Sequence, residues 1–289
     1  MIGPDEYKEH VNNNAYTNYF AHWNIKKAIE YYGLLKERHL ELFECLGAKL
    51  KLDKFYPIWV DRIEQIYLPK PREGDLLIPQ DDTYLTLKTI DLTKYKKQEQ
   101  VRSIYKDYGP EQISQIQVSK QADTLLLFYL LEDLFSPEVR RANWDYYEPK
   151  TLHDSSLSLS THCVLASDMG DEEMAYELFG KIREIDLGPN MKSSDQGVHA
   201  ASLGGIWQSV VNGFGGVRMI DGGLRISPRL PKAWTELSFR IHWWGGELEV
   251  RVTKDELVVV RKTEVNEDIA LTVYGREYRI VDELRVGLR

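Results

Sequence analysis

The hydrophobic pattern changes period near Gly215, and this change limits the possible folds more than any other feature of the sequence. Before it, apolar residues recur at helical spacing. Phe20, Trp23, Ile25, Ala28, Ile29 and Tyr32 fall in a stretch from Tyr16 to Leu35 that predicts one helix. From Leu224 to Arg289, short runs such as LSFRIHWW and LEVRVT alternate apolar and polar residues. Alternation of that kind suits a sheet with one buried face. The sequence therefore reads as mainly α with a C-terminal β module. Helices are expected over residues 1–215 and a small antiparallel β-sandwich over residues 216–289.

Local signals mark individual elements. Asn12, Asn13 and Asn14 precede the first helix, and any of them could cap it. A second helix is expected over Lys36 to Leu46. Residues 50–110 are interrupted by Pro57, Pro69, Pro71 and Pro79 and read as short helices and long loops. Ala122 to Phe135 is apolar nearly all round, which predicts a buried helix. Ser136-Pro137 has the form of an N-cap followed by proline at the first helical position. Ser156 to Met169 and Asp171 to Glu184 form a helical pair separated by Gly170. Ala200 to Asn212 is a further helix closed by Gly213, and its Gly204-Gly205 pair permits close approach of another backbone. Paired antiparallel helices with long loops suggest an α/α toroid; a bundle or a solenoid would fit helix content equally well.

Charge and cysteine usage exclude several functions. Lys and Arg number 37 against 45 Asp and Glu, giving a net charge of −8. A generic binder of nucleic acid or of an anionic membrane would be basic, so neither partner is expected. Two cysteines, Cys45 and Cys163, cannot build a disulfide framework or a cysteine zinc site. No metal-ligand spacing, dinucleotide loop or Walker motif stands out. No apolar run is long enough to span a membrane, and the first residues lack signal-peptide character, so a cytoplasmic protein is expected. The 17 tyrosines and 7 tryptophans would suit stacking on sugar rings, although ordinary core aromatics explain them better.

The segment Gly3 to Asn18, GPDEYKEHVNNNAYTN, places three carboxylates and a histidine ahead of an amide cluster and a helix. It resembles the catalytic loop of the family-65 glycoside hydrolases and phosphorylases, which include maltose, kojibiose, nigerose and trehalose phosphorylases. Three further stretches match in the same order. These are VSKQAD at 118–123, YEP to HDSSLS at 147–158, and GVHAASLGGIWQ at 197–208. The tail from Leu224 resembles the family's terminal β module. The resemblance implies the second half of an (α/α)6 toroid followed by that module. It implies Glu6 as general acid, with Glu9 as the fallback. Lys120 and Gln121 match a pair that binds glucosyl hydroxyls. Ser155, Ser156 and His199, with the backbone at Gly197, match a phosphate site. Asp5 and His10 would have supporting roles. Read without the resemblance, Lys120 is a surface residue, His199 a core histidine, and the two serines helix caps.

The implied reaction is inverting phosphorolysis of an α-linked glucose disaccharide to β-glucose 1-phosphate and glucose. An inverting hydrolase needs a second carboxylate roughly 6.5–9.5 Å from the acid to activate water. No such carboxylate stands in the matched serine and histidine segments, and phosphate is already an anionic nucleophile. The enzyme would act as a glycosyltransferase with no cofactor, inorganic phosphate being the co-substrate. Inverting hydrolysis and an inactive carbohydrate-binding or assembly fragment are the alternatives. The chain starts almost at the catalytic glutamate, which suggests part of a larger enzyme. Its exposed helix faces would then call for self-association or a partner chain supplying the missing half-barrel. Lys8 replaces a histidine frequent in the family, and MKSSDQG at 191–197 replaces a more usual run.

Overall fold

The structure is a computed structural model that describes residues 1–97, 101–188, 197–220, 222–263 and 269–288. Ten α-helices precede eight strands among these residues. The helices are α1 Ala15–Arg38, α2 Leu40–Leu50, α3 Leu52–Ile63, α4 Thr93–Lys96, α5 Pro110–Ser114, α6 Thr124–Leu130, α7 Pro137–Tyr147, α8 Ser158–Asp168, α9 Glu172–Leu187 and α10 Ala200–Gln208. The strands are β1 Val217–Ile220, β2 Gly223–Ile226, β3 Glu236–Trp243, β4 Gly246–Thr253, β5 Glu256–Arg261, β6 Ile269–Val273, β7 Arg276–Ile280 and β8 Glu283–Gly287. The fold class is as expected: mainly helical, with a C-terminal β module of two sheets.

Several helix ends follow directly from side-chain chemistry. Asn14 is the residue that caps α1, its Oδ1 accepting from the Thr17 N–H at 2.9 Å. Ser136 caps α7 ahead of Pro137, as the sequence predicts. The expected helix over 122–135 is shorter. It stops at Leu130 and continues as a 3-10 turn, Glu132–Leu134. Two acidic residues there break the apolar run, and Glu132 is needed elsewhere.

Helix α8 is the centre of the helical part, and every residue from Ser158 to Ser167 is buried. Small residues bring α10 onto it. A Cβ added at Gly205 would lie 2.8 Å from the Ser160 Cβ, whereas Gly204 faces open space. Past α10 the chain widens into a π-helical turn, Ser209–Phe214, where a Cβ added at Gly213 would lie 3.6 Å from Val164 Cα. Gly205 meets the start of α8 and Gly213 its middle, so α10 and α8 run the same way. Helices α6 and α8 also begin together, because Asp154 N–H donates to the Lys120 carbonyl at 2.9 Å. Asn14, before α1, donates to Asp123, before α6, at 2.9 Å. Four helices therefore start at one end of the helical part.

The β module holds two four-stranded sheets, β1-β2-β6-β7 and β3-β4-β5-β8. Leu248, Val250 and Val252 of β4 alternate with exposed or half-buried neighbours and face Leu257 and Val259 within the core. All pairings are antiparallel except β2 with β6, which is parallel. Between these two strands the chain crosses to the other sheet and makes β3, β4 and β5, so a hairpin cannot set their direction. The junction from helix to sheet depends on Gly216. Its φ is +64°, and a Cβ there would come within 2.0 Å of the Ser227 carbonyl oxygen. Only glycine fits.

Candidate active site

The segment Asp5–Lys8 is pinned from beneath at the end where the helices start. Asp5 is fully buried. Its carboxylate accepts from the Lys120 N–H at 2.8 Å, the Tyr7 N–H at 3.1 Å and the Gln80 amide at 3.1 Å. Its own N–H donates to Asp123 Oδ2 at 3.0 Å. Tyr7 and Lys8 are also buried. The Tyr7 hydroxyl donates to Asp154 Oδ2 at 2.6 Å, and burial, with Asp154 beside it, holds the phenol in its protonated form. The Lys8 ammonium donates to the carbonyls of Ile113 and Ile116 at 2.8 and 2.7 Å. Burial pulls it down to about 8 despite the nearby Asp5 and Asp81.

Glu6 differs from these neighbours. Its side chain is 54% exposed and pairs with the ammonium of Lys120, which is largely buried. Gln121 follows, its amide donating to the Pro4 carbonyl at 2.6 Å. Its Oε1 is buried with no hydrogen-bond partner among the described residues. The candidate acid thus stands at the surface on a bed of fixed polar groups. Glu9 and His10 are exposed on the turn beyond.

The candidate phosphate residues lie on the adjoining turn. Asp154 accepts from Tyr7 and, at 2.8 Å, from the Arg102 N–H, which fixes the start of the Ser155-Ser156 turn next to Lys120. Both serines are half-buried, and Ser155 Oγ accepts from the Leu157 N–H at 3.2 Å. His199 is the N-cap residue of α10. Asp186 of α9 takes both its N–H and its Nδ1, each at 2.8 Å, so the imidazole is orientated by a carboxylate. Gly197 has φ +118°, a conformation that favours glycine. The other residues of the MKSSDQG run, 191–196, lie outside the described residues.

The structure thus joins Glu6, Lys120, Gln121 and the Asp154–Ser156 turn through short hydrogen bonds. Gly197 and His199 reach the same end through Asp186 and the packing of α10 on α8. A cavity of about 500 Å³ adjoins that turn at Asp154, lined also by Lys96, Glu148, Leu152, His153 and Lys181 among others. Glu6, Lys120, Ser155 and His199 are not in its wall. Sequence reasoning missed Tyr7, Gln80, Asp123 and Asp154 as supports of the site. Only their positions inside matched motifs, for Tyr7, Asp123 and Asp154, could have flagged them.

The buried pair Asp5 and Asp123 carries a pH signature. Burial, then the like charge of Asp5, pushes Asp123 up to about 7, against hydrogen bonds that act the other way. Asp5 is also raised, chiefly by burial. A carboxyl raised in the folded state binds more protons there than when unfolded. Its favourable contribution is complete below about pH 4 and is lost as pH rises to about 7. Asp123→Asn removes that titration. Denaturant unfolding should show Asp123→Asn gaining stability relative to the parent as pH rises across this window, with a slope approaching about 1.4 kcal/mol per pH unit. A difference constant from pH 5 to pH 7.5 would contradict the assignment.

Comparison with known proteins bears on the whole chain. Residues 1–208 match the glycosyl hydrolase family 65 central catalytic domain, and residues 217–280 match the glycosyl hydrolase family 65 C-terminal domain. A kojibiose phosphorylase of Halothermothrix orenii is 44% identical over 285 residues, covering 97% of this chain and 36% of that protein. An α,α-trehalose phosphorylase of Thermoanaerobacter brockii is 38% identical over 266 residues, covering 89% of this chain and 33% of the relative. A solved structure described as a putative kojibiose phosphorylase from human microbiome superposes with a TM-score of 0.85 at 29% identity. That alignment covers all of this chain and 42% of the other. The chain spans about 36% of the length of the first curated relative.

Proposed function

The chain belongs to glycosyl hydrolase family 65, and from that premise we propose that it carries the acid and phosphate side of an inverting disaccharide phosphorylase. The observation that carries the reading is the junction of two motifs. Glu6 pairs with Lys120, and the Lys120 carbonyl holds the Asp154–Ser156 turn. A proton donor and a set of anion-binding groups therefore share one bed.

In this reading the glucosyl unit lies over Lys120 and Gln121. Its hydroxyls take up the Lys120 ammonium, which releases the Glu6 carboxyl from its ion pair. Phosphate is held by the Ser155 and Ser156 hydroxyls, His199 and the backbone near Gly197. A phosphate oxygen attacks C1 from the face opposite the glycosidic bond. The C1–O bond breaks, and Glu6 gives its proton to the departing sugar oxygen. The product of one inversion at an α-glucoside is β-glucose 1-phosphate. The helix starts add donors and positive dipole ends on the phosphate side. Asp5 and Tyr7 set the backbone on either side of Glu6 and take no part in proton transfer.

Kojibiose is the first substrate to assay, because the relative with 44% identity carries that name. Maltose, nigerose and trehalose follow. Release of glucose 1-phosphate that requires inorganic phosphate is expected from one of the four. Equal sugar release without phosphate would replace the reading with hydrolysis. No turnover of any of them at high protein concentration would replace it with a sugar-binding role.

A further inference from the structure

Glu148, His153 and His162 form a second cluster of reactive side chains, separate from the Glu6–Lys120 pair. The ligand atoms they offer all lie within 4.8 Å of one another. They come from the 3-10 turn Glu148–Lys150, the segment before α8, and α8 itself. His162 is fully buried, and neither ring nitrogen has a hydrogen-bond partner among the described residues. A buried imidazole left in that state costs free energy that a ligand would recover. The His162 ring meets the His153 ring edge to face, with centroids 4.5 Å apart.

The other two members suit the same purpose. His153 Nδ1 is 2.9 Å from Ser158 Oγ, which fixes the ring and leaves Nε2 towards Glu148. Nε2 lies 3.6 Å from Glu148 Oε1. That is long for a hydrogen bond and near the roughly 3.3–3.5 Å between two ligands of one tetrahedral ion. Burial lowers both imidazoles from their ordinary range, so they are neutral, the form that ligates. Glu148 and His153 line the cavity of about 500 Å³, which admits an ion and a water as fourth ligand.

We propose that Glu148, His153 and His162 form a divalent cation site with the donor set of zinc. Two imidazoles and one carboxylate around an open position match that ion. The site would tie three successive segments together and hold the His153–Ser156 turn from behind. Lys96 competes for it. Its ammonium lies 3.3 Å from Glu148 Oε1 and 2.9 Å from the Glu148 carbonyl oxygen, and it must turn outward when the ion enters.

The test uses the full chain, stripped with a chelator and titrated with Zn²⁺ by calorimetry and with Co²⁺ by visible absorption. One tightly bound ion per chain and the strong bands of four-coordinate Co²⁺ are expected, together with a zinc-dependent rise in Tm. Glu148→Gln and His153→Gln should each weaken binding at least about tenfold. Lys96→Met should tighten it. Circular dichroism shows whether each variant is folded, and Glu148→Gln, at the cavity wall, keeps the test valid if His162 variants fail to fold. Absence of binding by the parent chain overturns the proposal. So does binding that is unchanged in Glu148→Gln and His153→Gln, which would assign the ion to exposed histidines such as His10, His39 or His242.

Discussion

Glu6→Gln is expected to lower glucose 1-phosphate formation by at least about 100-fold while leaving the fold intact. General acids contribute about 10²- to 10⁴-fold, and glutamine keeps the shape of glutamate without its labile proton. The fold should survive because the Glu6 side chain is 54% exposed. Glutamine also keeps a side-chain oxygen that can accept from the largely buried Lys120 ammonium, so that group retains a hydrogen-bond partner. Leaving-group chemistry separates proton donation from mere positioning. A glucosyl donor whose leaving group departs without a proton should restore most of the lost rate in Glu6→Gln. Glu9→Gln should stay within a few-fold of the parent. The opposite pattern, with Glu9→Gln inactive and Glu6→Gln active, would move the acid three residues along the turn.

What the sequence reveals about this site, and what it hides, follows from the range of the forces involved. Capping by Asn14 and Ser136 is local, so asparagine or Ser-Pro ahead of an apolar periodic run is enough to reveal it. The alternating strands from β3 to β5 are equally plain. Their turns fall at Trp244-Gly245 and Lys254-Asp255, where glycine or polar residues interrupt the alternation. The parallel pairing of β2 with β6 depends on a crossover through the other sheet, which no local pattern records. The site shows the same division. Motif resemblance singles out Glu6, Lys120, Gln121, Ser155, Ser156 and His199 as types of residue. It does not reveal that Tyr7 reaches Asp154 across 147 positions, or that Asp186 orientates His199. Those are tertiary contacts between buried polar groups, whose partners are chosen by packing. Helix α6 ends early for a related reason, since Glu132 leaves the helical run to meet arginines from the β module.

That meeting sets the second large expected effect: Glu132→Ala should destabilise the protein by about 3–5 kcal/mol. Glu132 is 6% exposed. Its carboxylate lies against the guanidinium of Arg225 in β2, 3.4 Å from Arg218 Nε in β1, and 3.7 Å from Arg140 Nη1 in α7. Arg218 also donates to Asp168, at the end of α8, at 2.7 Å, and to the Asn212 carbonyl. Removing the glutamate takes the carboxylate from three arginines, of which Arg218 keeps Asp168, a group that burial already raises towards its neutral form. Two of those arginines, Arg218 and Arg225, anchor the β module to the helices, so the loss falls on the junction. Denaturant unfolding followed by tryptophan fluorescence measures the change. Arg141→Ala serves as the control, because its pair with Asp145 is solvent-exposed and a change within about 0.5 kcal/mol is expected. If Glu132→Ala unfolds no more easily than Arg141→Ala, the network does not couple the two parts, and apolar packing, including Trp234 against Phe179 and Phe214, must hold them together. Buried ion groups often stabilise less than apolar packing of the same volume. For that reason a paired replacement by apolar residues, Glu132→Leu with Arg218→Met, should recover much of the loss. Deleting one partner leaves an uncompensated charge in the interior, whereas replacing both removes the cost of burying either.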